Sequence, residues 1–254
     1  MPKNFPQGFY LSFLVTVSLF GLFLVTLPAV FPLSIQEDFQ WRKQLIGSVF
    51  GVICFLGAIA VFFPGHCSKI FQANNAENGN HAFPVKGNVA FHKSSNIFGL
   101  KITQGHHPSC EGFRAHEFQI GKKTFCTACM GLLLGAFMAL FGVAAYFFQG
   151  WSIGDNISLF LISGVLSVGL GLFQYMFFDV QWKPIRFLLN AFFVFGTFLV
   201  LAAIDAAANS LILDFFVVFL CVFWLFTRIV LSKHVHKDIC LACNLKCEIH
   251  QRKK

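Results

Sequence analysis

Charged residues are scarce in this sequence. Only 12% of the 254 residues are charged, whereas soluble domains carry about a quarter. Acidic residues are the scarcer sign, with 11 Asp and Glu against 19 Lys and Arg. At the same time 56% of the residues are hydrophobic, and a soluble domain of this length cannot bury so much apolar surface. The composition therefore excludes an ordinary soluble protein and predicts an all-α integral membrane protein.

Familiar catalytic and nucleotide-binding motifs are also missing. The sequence contains no Gly-rich phosphate loop, no H-E-x-x-H and no nucleophile elbow. Its net charge of +8 is explained by basic residues between apolar spans, which orient membrane proteins. We therefore expect the lipid bilayer and a metal ion as partners, and no nucleic acid.

Six stretches are apolar and long enough to cross a bilayer, which takes about 20 residues per helix. They cover residues 9–31, 45–63, 130–148, 157–178, 185–204 and 211–231. The first is too long for the apolar core of a cleaved signal peptide, so we expect a retained helix. Gly131 and Gly135 have the four-residue spacing of helix faces that approach closely in membranes.

The distribution of basic residues predicts the orientation of the spans. All Lys and Arg residues except Arg42 and Lys43 lie on the side that carries both termini and the long segment 64–129. Cytoplasmic loops are richer in Lys and Arg than outer loops. We therefore expect a multi-pass protein of the cell membrane with both termini in the cytoplasm.

The segment 64–129 contains a His/Cys pattern typical of a zinc ribbon. An H-x2-C pair and a C-x2-C pair are separated by fifteen residues, and two such pairs supply the four tetrahedral positions of Zn²⁺. Phe118 and Ile120 alternate with polar residues before Gly121, which predicts a short β-hairpin between the pairs. The candidate ligands in this loop are His106, His107, Cys110, His116, Cys126 and Cys129.

A second cluster lies in the C-terminal tail, with the pattern C-x2-C-x3-C-x2-H formed by Cys240, Cys243, Cys247 and His250. These four residues either close a site alone or share one with the loop. The sequence thus divides into an N-terminal helix pair (1–63), a cytoplasmic loop with the metal-binding module (64–129), a four-helix region (130–231) and a basic, Cys-rich tail (232–254).

Zinc is the favoured metal, and two other chemistries stay open. Closely spaced thiolates also hold iron–sulfur clusters, and a C-x2-C pair beside Lys122 and Lys123 is a candidate redox dithiol. The many histidines favour zinc, and the βαβ context of a thioredoxin-like protein is missing. Disulfides are rare in the reduced cytoplasm, which also favours metal binding by the paired cysteines.

The motif residues resemble an uncharacterised family of small prokaryotic multi-pass membrane proteins. Its members carry an H-H-P-x-C…C-x-x-C-x-G pattern just before a transmembrane helix. The matching residues here are His106-His107-Pro108-Ser109-Cys110, then Phe113 and His116, then Cys126 to Gly131, and Gly135. The resemblance covers this motif and the helix that follows it. It implies a multi-pass membrane protein and no specific activity.

Three functional classes remain for such a protein. A structural or regulatory metal module on a membrane scaffold is favoured. A membrane enzyme acting on a lipid or isoprenoid predicts an open metal position beside a groove between helices. A transporter predicts a continuous polar path, but polar residues within the spans are few, and Asp205, Asn209 and Asp214 are interpreted as an ordinary outer loop.

Overall fold

A computed structural model describes residues 7–30, 41–62, 95–97, 100–102, 116–120, 123–175 and 182–242. Its helices are α1 (Gln7–Leu24), α2 (Leu27–Val30), α3 (Arg42–Phe62), α4 (Thr127–Val143), α5 (Ile157–Phe173), α6 (Lys183–Ala208) and α7 (Leu211–Ala242). A π-helical turn (Ala144–Phe148) extends α4, and a 3-10 turn (Gly154–Asn156) precedes α5. Strands β1 (Ser95–Ile97) and β2 (Leu100–Ile102) form one antiparallel pair, and β3 (Glu117–Ile120) and β4 (Lys123–Cys126) form another.

Five helices are long and apolar enough to cross a membrane. The spans lie at Arg42–Val61, Thr127–Phe148, Gly154–Phe173, Lys183–Ala208 and Leu211–His236, and the apolar helix Gly8–Leu24 is shorter. Large apolar side chains point outward from these helices; Phe141 is 78% exposed and Ile212 is 76% exposed. Soluble proteins rarely expose so much apolar surface. The prediction of an all-α membrane protein is confirmed at this level.

The helix ends differ from the predicted span ends. Helix α4 begins at Thr127, ahead of the predicted start at 130, so Cys129 lies in its first turn. Helix α7 continues to Ala242, beyond the predicted end at 231, and its backbone includes Cys240. Hydropathy marks the part of a helix that crosses lipid, whereas the helix itself continues where no Pro or Gly interrupts it.

Contacts between helices fix their directions. Ser18 of α1 hydrogen-bonds to Thr227 of α7. Gly21, further along α1, lies against Leu220, which precedes Thr227 in α7. Helices α1 and α7 are therefore antiparallel. Helices α3 and α4 are antiparallel for the same reason, because Gly47 lies against Phe147 just after α4, whereas the later residue Gly51 lies against the earlier residue Val143. Helix direction therefore alternates along the chain.

One end of the bundle carries the β3–β4 hairpin, the starts of α4 and α6, and the ends of α5 and α7; we call it the hairpin end. The other carries the starts of α3 and α7 and the end of α6, which meet around Arg42; we call it the Arg42 end.

Helices α4 and α6 run parallel and approach closely. A Cβ atom added at Gly131 would lie 2.3 Å from the Phe187 carbonyl oxygen, and one at Gly135 would lie 2.4 Å from that of Ala191. Only glycine allows this distance between two helix backbones. The predicted close packing at these two glycines is confirmed, and it aligns the start of α4 with the first turns of α6.

Helix α6 ends in a tight turn that matters for the polar cluster described below. Asn209 caps the helix with a φ of 48° and donates its backbone N–H to the Asp205 carbonyl. Asn tolerates this left-handed conformation better than most residues. The turn starts α7 at Leu211 and so brings Asp214 close to Asp205.

Candidate functional site

The predicted hairpin is present in the structure. Strand β3 pairs with β4 in a register that sets Glu117 opposite Cys126, and α4 begins at the next residue, Thr127. Cys126 thus ends the hairpin, while Cys129 lies one helical turn further on. The hairpin therefore delivers the C-x2-C pair to the start of α4.

His116 fastens this hairpin to the helix bundle. It directly precedes β3 and is buried. Its Nε2 atom lies 2.5 Å from Arg186 Nη1, which also contacts Nδ1 of the same ring. A neutral imidazole accepts at only one ring nitrogen, so Arg186 donates to the one that lacks the proton. On the other side, the His116 ring meets that of His236 edge-on at a centroid distance of 5.2 Å. The loop thus contacts both α6 and the distal part of α7.

The remaining predicted ligands are not brought together by the described residues. His106, His107, Cys110, Cys243, Cys247 and His250 lie outside them, as does the side chain of Cys240. Within the described ranges, no group of three or more His, Cys, Asp or Glu side chains is arranged to hold a metal ion. Cys126, Cys129 and His116 are therefore placed, and the complete ligand set stays a prediction.

A buried polar network lies next to His116 and joins α6, α7 and the turn that follows α5. Arg228 of α7 donates from Nε to Asn190 Oδ1 of α6 at 2.9 Å and from Nη2 to the Tyr175 hydroxyl at 3.1 Å. Asn190 in turn donates to the Arg186 carbonyl at 2.5 Å. Sequence reasoning missed this network, although an Arg inside an apolar stretch was a usable signal.

A second buried cluster lies at the Arg42 end. Arg42 Nη1 is 2.7 Å from Asp205 Oδ1 and also contacts Asp214. Both carboxylates are completely buried. The interpretation of these aspartates as part of an ordinary outer loop was incomplete, because the turn at Asn209 folds both onto one guanidinium.

Neutral and exposed groups complete this cluster. Tyr146, in the π-helical turn, donates its hydroxyl to Asp205 at 2.7 Å, and Arg42 Nη2 donates to Asn209 at 3.1 Å. Lys43, about half exposed, lies 3.8 Å from Asp205. Two basic and two acidic side chains therefore meet here and join α3, α6 and α7.

Apolar side chains fill the region between the two polar clusters. Val200 and Leu201 of α6 and Trp224 of α7 are fully buried there, and Trp224 donates its indole N–H to the Ser18 carbonyl. Thr197 and Thr227 are buried in the same region, so small polar groups lie among these apolar side chains.

One cavity, of about 590 Å³, is lined largely by apolar side chains of α4, α5 and α6. Its lining includes Gln149 and Trp151, beyond the end of α4 that is distant from Cys126. The enzyme interpretation predicts a groove beside the Cys/His residues, and this cavity lies elsewhere.

Comparisons with known proteins leave the family resemblance resting on its motif residues alone. No family model, no curated protein and no solved structure matches the chain.

Proposed function

We propose that this chain is a multi-pass membrane protein with a zinc-binding Cys/His module at the hairpin end, where the metal has a structural or regulatory role. The observation that carries the proposal is the β3–β4 hairpin, which ends in Cys126 and places Cys129 in the first turn of α4. The hairpin also touches α7, whose continuation carries the second Cys/His cluster.

The local chemistry at the start of α4 supports metal binding. Thiols three residues apart at a helix N-terminus lie near its positive dipole end, which favours the thiolate form. Two thiolates supply half of a tetrahedral zinc site. The other two ligands in this proposal come from the remaining loop residues or from the tail.

A sixth crossing by α1 is part of the proposal. Its 18 residues span about 27 Å at 1.5 Å per residue, close to the roughly 30 Å hydrocarbon core of a bilayer. The Ser18–Thr227 hydrogen bond and the Trp224 indole hold α1 against α7. Six alternating crossings bring both termini to the hairpin end.

The distribution of basic residues supports a cytoplasmic location for the hairpin end. Lys183, Arg186, Arg228 and Lys233 lie toward this end, whereas Arg42 and Lys43 are the basic residues of the described chain at the other. The two at the Arg42 end are paired with aspartates. This asymmetry follows the positive-inside rule.

Metal analysis of the full chain purified in detergent tests the proposal. We expect about one or two equivalents of zinc, reduced in Cys126→Ser, Cys129→Ser and Cys243→Ser. Cys54→Ala is the matched control, because Cys54 is buried within α3, and it should keep the wild-type zinc content. A sample that contains iron and sulfide would indicate an iron–sulfur cluster in place of zinc. A stable protein without metal would overturn the proposal of metal binding.

A further inference from the structure

Arg228 is a buried cation whose described partners are all neutral. Only 4% of its surface is exposed, and its hydrogen bonds go to the Asn190 amide oxygen and the Tyr175 hydroxyl. The guanidinium carbon also lies 5.5 Å from the centre of the Tyr175 ring. None of these groups carries a negative charge.

Arg42, a buried arginine that does contact carboxylates, shows the contrast. Arg42 is as buried as Arg228, and it contacts the carboxylates of Asp205 and Asp214. Burying a charge costs several kcal/mol unless an opposite charge accompanies it. Among the described residues Arg228 has no acidic partner, so no counter-charge accompanies it there.

Arg228 also retains unused donors. A guanidinium has five N–H donors, and those named above come from Nε and Nη2. Its Nη1 makes no hydrogen bond to any residue that the structure describes. Nη1 can therefore donate to an oxyanion while Nε and Nη2 stay fixed by Asn190 and Tyr175, which hold the guanidinium plane in place.

The position along α7 suits an anion from the membrane surface. Arg228 lies about 26 Å along the helix from Leu211 at 1.5 Å per residue, close to the limit of a hydrocarbon core about 30 Å thick. Orienting a membrane protein requires only exposed basic residues such as Lys233. It does not explain an arginine enclosed by three helices.

We propose that Arg228 binds a phosphate-class anion between α5, α6 and α7 at the hairpin end, supplied by an anionic lipid headgroup or by free phosphate. Guanidinium groups suit phosphate because their N–H groups match its oxygen atoms in spacing and charge. This proposal does not depend on metal binding.

Thermal unfolding of the full chain in neutral detergent, followed by tryptophan fluorescence, tests the site. The protein is titrated with dihexanoyl phosphatidylglycerol, with zwitterionic dihexanoyl phosphatidylcholine and with inorganic phosphate. We expect the anionic lipid to raise Tm more than the zwitterionic lipid does, since binding to the folded state stabilises it. A rise with inorganic phosphate identifies the free anion as sufficient, whereas a rise with phosphatidylglycerol alone identifies the lipid as the source.

Two variants that each remove one positive charge distinguish binding at Arg228 from a general effect of net charge. Arg228→Gln should weaken the apparent affinity about tenfold or more, whereas Lys233→Gln removes an exposed charge from the same helix and should leave it nearly unchanged. Arg228→Lys keeps the charge and loses the guanidinium geometry, so weaker binding is expected there even if the Gln variant fails to fold. Absence of stabilisation by either anion, or wild-type affinity in the folded Arg228 variants, would overturn the proposal.

Discussion

Replacing Arg42 with Gln removes a guanidinium that contacts two fully buried carboxylates. Asp205 keeps the Tyr146 hydroxyl and the distant Lys43 amine, while Asp214 loses the ion pair that joins α7 to α3. Breaking a buried ion pair by removing one partner costs about 3–5 kcal/mol, because the remaining charge is left uncompensated. We therefore expect Arg42→Gln to be among the most destabilising single changes at this end.

The loss can be measured as the free energy of unfolding in mixed micelles of dodecyl maltoside and SDS, or as a fall in Tm. For chains of about this size each kcal/mol corresponds to about 2–4 °C, so the expected fall is about 6–20 °C. Lys43→Gln is the control at the neighbouring position. Its side chain is about half exposed and 3.8 Å from Asp205, so its loss should cost about 1 kcal/mol or less.

A double variant distinguishes lost charge pairing from lost side-chain volume. Asp214→Asn combined with Arg42→Gln removes one cation and one anion together, so it should recover part of the stability lost in the single variant. Two results would contradict a stabilising role of the ion pair at this end. One is a free energy of unfolding of Arg42→Gln within about 1 kcal/mol of the wild-type value. The other is a loss of stability in the double variant equal to the sum of the losses in the two single variants.

Three further predictions concern the helix contact, the hairpin and the topology. Gly135→Ala should cost about 1–3 kcal/mol through overpacking, whereas Gly169→Ala, which meets nothing within 4 Å, should be neutral or stabilise by up to about 1 kcal/mol; equal effects would contradict the close α4–α6 contact. His116→Ala should speed amide exchange in the β3–β4 hairpin because its contact with α6 is lost, and unchanged exchange by mass spectrometry would refute that anchoring role. A single cysteine at Asp155 should react with an impermeant maleimide added to intact cells and one at Lys233 only after lysis, and the reverse pattern would invert the proposed orientation.

Periodic and compositional signals predicted most of the architecture. The apolar stretches predicted the long helices, and the alternation at Phe118 and Ile120 predicted the hairpin that the structure contains. Glycine spacing predicted the contact at Gly131 and Gly135. Each of these signals is local in sequence, because the interactions that produce it involve residues only a few positions apart. It can therefore be recognised before the fold is known.

The polar clusters depend on tertiary structure and were harder to predict from the sequence. Arg42 and Asp214 are 172 positions apart, and their pairing depends on the direction of three helices and on the αL turn at Asn209. The sequence carried one clue, since Arg42 and Lys43 were predicted to lie on the same side of the spans as Asp205 and Asp214. The partners of Arg228 lie on α6 and in the turn after α5, so its local sequence indicated only that a charge is present within an apolar segment.

The glycine contact between α4 and α6 has a mechanical consequence. Since backbone atoms meet without intervening side chains at Gly131 and Gly135, neither helix can shift along its axis relative to the other without a steric clash. The contact therefore fixes the spacing between the first turn of α4, with Cys129, and the first turns of α6, with Arg186 and Asn190. We expect a displacement of Cys129 to shift the neighbouring Arg186 guanidinium together with the helix pair.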